Sequence, residues 1–92
     1  MIYATKIKMK TGCYYHDDLT EIDEIYLQGD GYWGYCKKAV VHDLVKLYPG
    51  SVAVNLYPYP KVVDAVSIYG EKYVRSQANG TTRDNLLQLP RE

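Results

Sequence analysis

The sequence predicts an α+β fold in which a curved antiparallel β-sheet carries one α-helix packed on a face. Near the N-terminus one set of residues alternates with another, and this two-residue period is typical of a half-buried strand with one lysine-lined face. The first set is Tyr3, Thr5, Ile7 and Met9, and the second is Ala4, Lys6, Lys8 and Lys10. One segment, Lys37–Leu47, repeats apolar residues at three- and four-residue steps, which predicts an amphipathic helix. The other apolar segments are short, rich in β-branched and aromatic residues, and bounded by glycine or proline, which favours strands.

The segment Thr20–Leu27 fits two kinds of element. Its β-branched and aromatic content is typical of a strand, but Leu19, Ile22 and Tyr26 also fit a helical stripe. The sequence that follows it, Gln28–Gly31, has the composition of a tight turn that returns the chain into a second strand. We therefore favour a strand here, as the first arm of a hairpin.

The second half of the chain is divided by proline and glycine. The helix should end at Tyr48–Gly50, because proline and glycine both interrupt helices. Tyr57–Pro60 contains two prolines that cannot donate to a strand ladder, so we expect an extended surface connection there. The remaining strands are predicted at Ser51–Leu56, Val62–Ile68 and Lys72–Ser76, the last two joined by a turn at Tyr69-Gly70-Glu71.

These elements predict a core between the helix and the sheet. Its members are the apolar residues that the helical and strand periods place on one side. We expect burial of Ile7, Met9, Val41, Leu44, Val52, Val54, Val66 and Val74.

Length and charge limit the class of protein. The chain has 92 residues, which fits one domain spanning residues 1–92. Eleven basic and eleven acidic residues cancel, which excludes a nucleic-acid binder or a membrane module held by bulk positive charge. The N-terminal residues lack the apolar stretch of a signal peptide. We therefore expect a cytoplasmic protein that keeps Cys13 and Cys36 as free thiols.

Residues typical of catalysis or metal binding are few and poorly spaced. Each histidine has an adjacent aspartate, Asp17 or Asp43, but sequence neighbours on a helix or strand face apart. No nucleophile elbow and no glycine-rich phosphate loop is present in the sequence. We therefore expect no enzyme activity, no cofactor and no metal. A zinc site would require the fold to bring together Cys13, His16, Cys36 and His42.

Tyrosine and arginine supply most of the binding chemistry. The chain has eleven Tyr, one Trp and no Phe, and tyrosine is favoured at interfaces because its ring is large and its hydroxyl is polar. The alternative is that tyrosine replaces phenylalanine in a small core. All three arginines lie in the C-terminal segment, and a planar guanidinium suits phosphate.

The polar segment Asn79–Asn85 is the densest group of hydrogen-bond donors and acceptors in the sequence. Its structural alternative is a turn at Asn79-Gly80 and a helix cap at Asp84 or Asn85. Arg75 also has an alternative role, a surface ion pair with Glu71 or Asp84. We expect a ligand site lined by Arg75, Asn79, Arg83, Asp84, Asn85, Tyr57 and Tyr59.

The C-terminal residues resemble a known signature. From Tyr73 the chain has an aromatic, an aliphatic, an arginine and a serine, followed by Asn79-Gly80, Asp84-Asn85-Leu86 and Leu89-Pro90. This order is similar to the C-terminal signature of a small bacterial and phage family, domain of unknown function 3892. The resemblance covers about a fifth of the chain and implies no activity.

The chain length, Arg83-Asp84-Asn85 and the tyrosine-rich body also resemble the phage sponges of the first Thoeris anti-defence family. Those proteins bind cyclic ADP-ribose isomers, and some also bind cyclic trinucleotides, without cleaving them. They are oligomers with pockets between subunits. The resemblance implies a homo-oligomer that sequesters a cyclic nucleotide immune signal in the host cytoplasm, with Arg83 and Asp84 contacting the nucleotide.

A pocket between subunits also agrees with the size of the chain, because a ligand pocket of roughly 300–1,000 Å³ is large beside so small a domain. The alternative function is a phage or bacterial protein–protein interaction domain without a small-molecule ligand, in which the tyrosine surface contacts a host protein. Binding of single-stranded nucleic acid is disfavoured by the zero net charge.

Overall fold

A computed structural model describes residues 1–77 and 84–92 of the chain. Within these residues the chain forms six strands, one α-helix and two short 3-10 helices, here labelled η. In chain order they are β1 (Ile2–Met9), η1 (Leu19–Glu21), β2 (Ile22–Gly29), β3 (Tyr32–Lys37), α1 (Lys38–Leu47), β4 (Val52–Val54), β5 (Val62–Val66), β6 (Lys72–Ser76) and η2 (Asn85–Gln88). Among the described residues, no helix is long and apolar enough to cross a membrane.

The strands form two sheets, and this confirms the α+β class with one correction. The larger sheet has the order β3-β2-β1-β4, and β5 pairs with β6 in a separate antiparallel sheet. Within the larger sheet β4 runs parallel to β1, so this sheet is mixed, while the predicted antiparallel pairing holds for β1–β2, β2–β3 and β5–β6. The parallel pair arises because α1 carries the chain from β3 across to β4, and parallel strands need such a crossover.

The hairpin between β2 and β3 confirms a strand in the segment Thr20–Leu27, but the strand begins at Ile22, because Thr20 and Glu21 belong to η1. Its two-residue turn, Asp30-Gly31, has φ angles of 49° and 90°. Two positive φ values are the requirement of the type I′ turn, whose twist matches that of the flanking strands. The turn chemistry therefore explains why the chain prefers a hairpin to the helical stripe through Leu19, Ile22 and Tyr26.

A change of register in β1 breaks its predicted alternation. Tyr3 and Ala4 pair with consecutive residues of β2, and the pairing shifts between Ala4 and Lys6. Before the shift Ala4 is buried and Tyr3 is exposed, whereas beyond it Ile7 is buried and Lys8 is exposed. The shift acts as a β-bulge, which turns a strand's inward face by one residue. As a result Tyr3 faces solvent instead of sharing a side with Ile7.

The core lies between the larger sheet, α1 and the smaller sheet. Of the eight residues predicted to be buried, six are confirmed: Ile7, Met9, Val41, Val52, Val54 and Val74. Leu44 is only half-buried, because Val41 and Val45 form the inward stripe of α1 and Leu44 packs at its edge. The predicted burial of Val66 is wrong. Val66 pairs with Lys72 beside the turn of the β5–β6 hairpin, and Val66 is 58% exposed there.

The C-terminal segment completes this core. Leu86, Leu87 and Leu89 are buried, and the backbone beyond them lies along β1. Ile7 donates its backbone N–H to the Pro90 carbonyl at 2.9 Å and accepts from the Glu92 N–H at 3.1 Å. Because β4 pairs only with the first residues of β1, this segment satisfies backbone groups that β4 leaves open further along the strand.

Glu71 joins three separate parts of the fold. Its Oε2 accepts from Lys10 Nζ at 2.8 Å and from Lys38 Nζ at 2.6 Å. Lys38 also donates to the Thr20 carbonyl at 2.5 Å, and only 11% of its side chain is exposed. Hydrogen bonds from the two ammonium groups lower the pKa of Glu71 from 4.5 to about 2. This single carboxylate therefore neutralises a nearly buried lysine at the start of α1.

We expect Glu71→Gln to lower the free energy of unfolding by about 2 kcal/mol at pH 7, because it leaves Lys38 nearly buried without a counter-charge. The folded-state pKa of Glu71 is depressed, so its stabilisation is complete above about pH 4.5 and is lost as the pH falls toward 2. Urea unfolding at a series of pH values checks this. The difference in the free energy of unfolding between wild type and Glu71→Gln should disappear at low pH. The control Glu24→Gln should lower the free energy of unfolding by less at every pH. An equal difference at pH 2 and pH 7 would contradict it.

Candidate functional site

The solvent-facing side of the larger sheet carries a row of aromatic and amide side chains. The register aligns Tyr3 of β1, Gln28 of β2 and Trp33 of β3 across three neighbouring strands. Trp33 is 70% exposed, although indole is among the largest apolar side chains. Trp33 lies in β3, the second arm of the predicted hairpin, where strand pairing holds its backbone.

A cleft of about 350 Å³ lies at this end of the sheet, and we refer to it as the aromatic cleft. Thr5 Oγ1 at this cleft is buried and has no hydrogen-bond partner among the described residues. Gly29 is required at the cleft because its φ is 120° and a Cβ there would overlap the Met1 carbonyl. The cleft is lined by Met1, Tyr3, Thr5, Gln28, Gly29, Trp33 and Asn55.

Two of the predicted site residues, Tyr57 and Tyr59, lie beside this cleft. Tyr59 contacts Tyr3 edge-to-face with ring centroids 6.4 Å apart, and Tyr57 contacts Tyr59 in the same way at 6.2 Å. Tyr57 is 85% exposed, so this series of rings runs from the cleft out to solvent. The predicted list did not include Tyr3 and Trp33, because only the register of β1, β2 and β3 shows that they lie together.

Next to the cleft, lysines lie over aromatic rings. Lys6 Nζ is 4.6 Å from the centre of the Tyr26 ring and 5.9 Å from that of Tyr35. Lys6 also forms an ion pair with Glu92 at 2.8 Å, and this hydrogen-bonded pair raises the pKa of Lys6. Burial raises the pKa of Tyr35. The positive charge of Lys6 is therefore already balanced within the protein.

Asp84 has the structural role, a helix cap, that was predicted above as the alternative to ligand binding. It is the N-cap of η2, and its Oδ1 accepts from the Leu86 N–H at 2.9 Å. The same carboxylate accepts from the Ser76 N–H at 2.9 Å and from Ser76 Oγ at 2.8 Å. Ser76 Oγ in turn accepts from the Asn85 N–H at 3.3 Å. Asp84 therefore fastens the start of η2 to the end of β6.

The other predicted C-terminal residues have different surroundings. Asn85 is buried, and Arg75 is exposed on β6. Among the described residues Arg75 forms neither of its alternative ion pairs, because Glu71 binds two lysines and Asp84 binds Ser76. The remaining two predicted residues, Asn79 and Arg83, lie outside the described residues.

A second cleft, of about 570 Å³, lies on another part of the surface. Two of its aspartates are engaged: Asp18 Oδ1 accepts from the N–H and hydroxyl of Thr20, and Asp17 pairs with Arg91 at 3.0 Å. The acidic lining repels phosphate. This acidic cleft is lined by Asp17, Asp18, Leu19, Thr20, Tyr73, Asp84 and Leu87.

The predicted site residues that the structure describes are therefore not brought into one cleft. Asp84 lines the acidic cleft, while Tyr57 and Tyr59 adjoin the aromatic cleft, and the two clefts share no lining residue in the described part of the chain. Strand pairing, which composition does not specify, separates them. Sequence spacing identified chemically suitable residues but could not place them in space.

Arg91, one of the three grouped arginines, holds a loop in place. Its guanidinium donates to the carbonyls of Tyr14 and His16, both at 2.7 Å, and to that of Leu87 at 3.0 Å. It also binds the Asp17 carboxylate at 3.0 Å, and only 11% of its side chain is exposed. The planar fork of arginine here binds the protein's own backbone.

His42 and Asp43 interact despite being sequence neighbours, which corrects the expectation that they face apart. His42 Nδ1 lies 2.9 Å from Asp43 Oδ1, and hydrogen bonds from His42 and Lys72 lower the pKa of Asp43. His42 is only 1% exposed, and its Nε2 is buried without a partner in the described residues. The nitrogen that such a pair would offer to a substrate is therefore enclosed in the helix–sheet interface.

The described residues form an α+β fold that carries an aromatic cleft and an acidic cleft. Residues 58–90 match the family described as Protein of unknown function (DUF3892), which confirms the resemblance indicated by the C-terminal signature. The match covers a little over a third of the chain. No curated protein matches the chain, and no solved structure matches it.

The matched region has a structural explanation in the described residues. Ser76 and Asp84 form the hydrogen-bonded contact between β6 and η2, and the leucines that follow fill the core. Pro90 donates no hydrogen bond but accepts one from Ile7 through its carbonyl. The serine, aspartate, leucine and proline of the signature thus dock the C-terminal segment onto the sheet.

We expect Asp84→Asn to lower the free energy of unfolding by about 1–3 kcal/mol. Both carboxylate oxygens of Asp84 accept hydrogen bonds, whereas an asparagine amide has one oxygen and would turn its NH2 group toward the Ser76 or Leu86 N–H. The matched control is Asp64→Asn, at an exposed position of β5, which should change stability by less than about 0.5 kcal/mol. Urea unfolding at pH 7 measures both. Equal stability of the two variants would contradict the capping role.

Proposed function

We propose that this protein binds a nucleotide-type ligand without cleaving it, and so sequesters a cyclic nucleotide signal in the cytoplasm of the cell in which it is made. The base binds in the aromatic cleft. Support comes from the resemblance to signal-binding sponges, and above all from one observation: an exposed indole stands beside a tyrosine ring and two amide side chains in a ligand-sized cleft. This site replaces the segment Asn79–Asn85 as the centre of the proposed binding surface.

The lining of the cleft suits a nucleobase. Trp33 and Tyr3 offer ring faces for stacking, which stabilises bound bases by about 1–3 kcal/mol each. Gln28 and Asn55 offer amides, each with a donor and an acceptor that can match a base edge. The buried Thr5 hydroxyl supplies one more polar group that a ligand would satisfy.

A cation for the phosphate lies at the rim of the same cleft. Lys61 Nζ is 3.9 Å from Met1 Sδ, and Met1 is part of the lining. The Lys61 ammonium would attract a phosphate of the ligand as a point charge, without the bidentate geometry of arginine. The base would therefore bind between the rings, with its phosphates directed toward Lys61.

Binding without cleavage agrees with the chemistry of the cleft. Its described lining contains amide, hydroxyl, thioether and aromatic groups, and none of its residues is a carboxylate, imidazole or thiol. Hydrolysis of a phosphodiester usually needs a general base or a metal to activate water. Sequestration needs neither, because it requires only affinity.

Protein–protein interaction is the second candidate function. The exposed rings of Tyr57, Tyr59 and Trp33 favour it, since aromatic side chains bury large areas at low entropic cost when a partner covers them. In that case the series of rings would contact a protein surface, and the cleft would receive a protruding side chain.

Nucleotide binding predicts a change in the fluorescence of Trp33, the one tryptophan of the sequence. Titration with cyclic ADP-ribose isomers and cyclic trinucleotides should quench it as a base stacks on the indole. By calorimetry, Trp33→Ala should weaken binding roughly 5- to 150-fold, the loss of one stacked base. Denaturing the complex and running chromatography should return the ligand chemically unchanged.

Two control variants locate the site. Tyr69→Ala removes another exposed ring, in the β5–β6 turn, and should bind as the wild type does. Arg75→Ala tests the C-terminal surface originally predicted. If Arg75→Ala weakened binding and Trp33→Ala did not, the ligand would bind near the C-terminal segment and the aromatic cleft would be excluded. Recovery of cleaved ligand would contradict sequestration.

We also expect a homo-oligomer. β3 pairs with β2 on one side, and no described strand covers its other edge, where unpaired backbone groups can bind a second copy. Light scattering at tens of micromolar protein should give at least twice the 10.6 kDa chain mass. The interface between the copies should bury more than roughly 1,000 Å². Lys37→Pro, at the end of β3, should favour the monomer if this edge is used. A 10.6 kDa species for the wild type would contradict the prediction.

A further inference from the structure

Three side chains with metal-binding atoms converge on a part of the surface that neither cleft uses. The ligand atoms of Cys13, His16 and Glu21 all lie within 4.8 Å of one another. Cys13 and His16 belong to the loop after β1, and Glu21 ends η1 just before β2. The spacing Cys13-x-x-His16 places the first two on one loop, and the fold supplies the third.

The donor set fits zinc better than the hard cations. Zinc accepts thiolate sulfur, imidazole nitrogen and carboxylate oxygen together, whereas magnesium and calcium select oxygen. Around one tetrahedral zinc, the zinc–ligand bond lengths place sulfur and oxygen about 3.6 Å apart. Cys13 Sγ and Glu21 Oε2 are 3.1 Å apart, so a small separation of the two would admit the ion.

Backbone hydrogen bonds hold this loop in the converged geometry. The Cys13 N–H donates to the Lys10 carbonyl at 2.8 Å, and the His16 N–H donates to the Cys13 carbonyl at 3.0 Å. The Lys10 N–H donates to the Glu21 carbonyl at 2.8 Å, which ties the loop to the third ligand. Arg91 fixes the far end through the His16 carbonyl at 2.7 Å. The ordering cost of bringing three ligands together is therefore met largely by the fold itself.

We propose that Cys13, His16 and Glu21 bind one Zn²⁺, with the fourth position open to water or another donor. The thiol of Cys13 now hydrogen-bonds to the Glu21 carboxylate. On binding, the thiolate forms the Zn–S bond and the thiol proton is released to solvent, while His16 binds through a neutral ring nitrogen. The charge of the ion is balanced by the thiolate and the carboxylate.

The converging residues differ from the two cysteines and two histidines that a zinc site would have required by composition alone. The fold keeps only half of that set: Cys36 packs against the core from β3, and His42 is enclosed in α1. Glu21 was not a candidate, because a lone glutamate five residues after a histidine has no distinctive spacing.

Metal titration of the full chain tests the site. After chelation and reduction, Co²⁺ should bind with one equivalent and give a thiolate-to-cobalt absorption band, and Zn²⁺ should displace it. Cys13→Ser should abolish the band. His16→Ala and Glu21→Gln should each weaken zinc binding at least about tenfold, measured by competition with a chromophoric chelator. Zinc should raise the melting temperature of wild type but not of Cys13→Ser.

Cys36→Ser is the matched control, since it removes the other thiol and should leave metal binding unchanged. His16 is exposed, so His16→Ala should fold normally, as circular dichroism would verify. The proposal is overturned if micromolar zinc does not bind the wild type, if Cys36→Ser removes the cobalt band, or if all three ligand variants bind as wild type does. The Trp33 titration needs no metal, so failure of one proposal leaves the other standing.

Discussion

Glu71 is the interaction on which the arrangement of the layers depends. Its carboxylate receives Lys10 from the end of β1 and Lys38 from the start of α1, while it belongs itself to the turn of the smaller sheet. Lys38 is nearly buried, and a buried ammonium without a counter-charge would be costly enough to displace the helix. The position of the two-stranded sheet against α1 is thus set by charge as well as by apolar packing. The helix in turn carries the crossover that makes β4 parallel to β1.

The elements that the sequence predicted well were those with a strong local cause. The Asp30-Gly31 turn identified the β2–β3 hairpin, and apolar residues at three- and four-residue steps identified α1, although its inward side is formed by Val41 and Val45 and not by Leu44. The features that the sequence did not predict depend on partners far away in sequence. Pairing of β4 with β1 needs the crossover, and the exposure of Val66 depends on where the hairpin extends beyond the core. A periodic pattern describes a strand's two sides but does not select its neighbours.

The same distinction governs the candidate site. Tyr57 and Tyr59 were identified from composition, because tyrosines in a proline-containing connection have little to pack against. Trp33 and Tyr3 could not be joined to them, since Tyr3 reaches the outer face only through the register shift in β1. Asp84 was ambiguous for the opposite reason: capping and ligand binding require the same residue types, and only the hydrogen bonds to Ser76 and Leu86 distinguish them.

The position of Arg91 has a consequence for how the chain acquires its final form. Arg91 binds the loop carbonyls of Tyr14 and His16 across separations of 77 and 75 residues, and Ile7 bonds to Pro90 over a similar distance. Contacts of such high sequence separation slow folding, because the intervening chain must be ordered before they form. During synthesis, the loop after the first strand would wait until the 75 to 77 residues that separate it from Arg91 had been added. The loop that carries Cys13 and His16 should therefore be among the last parts of the protein to become ordered, and a ribosome-bound chain lacking Arg91 should leave its cysteine accessible to thiol reagents.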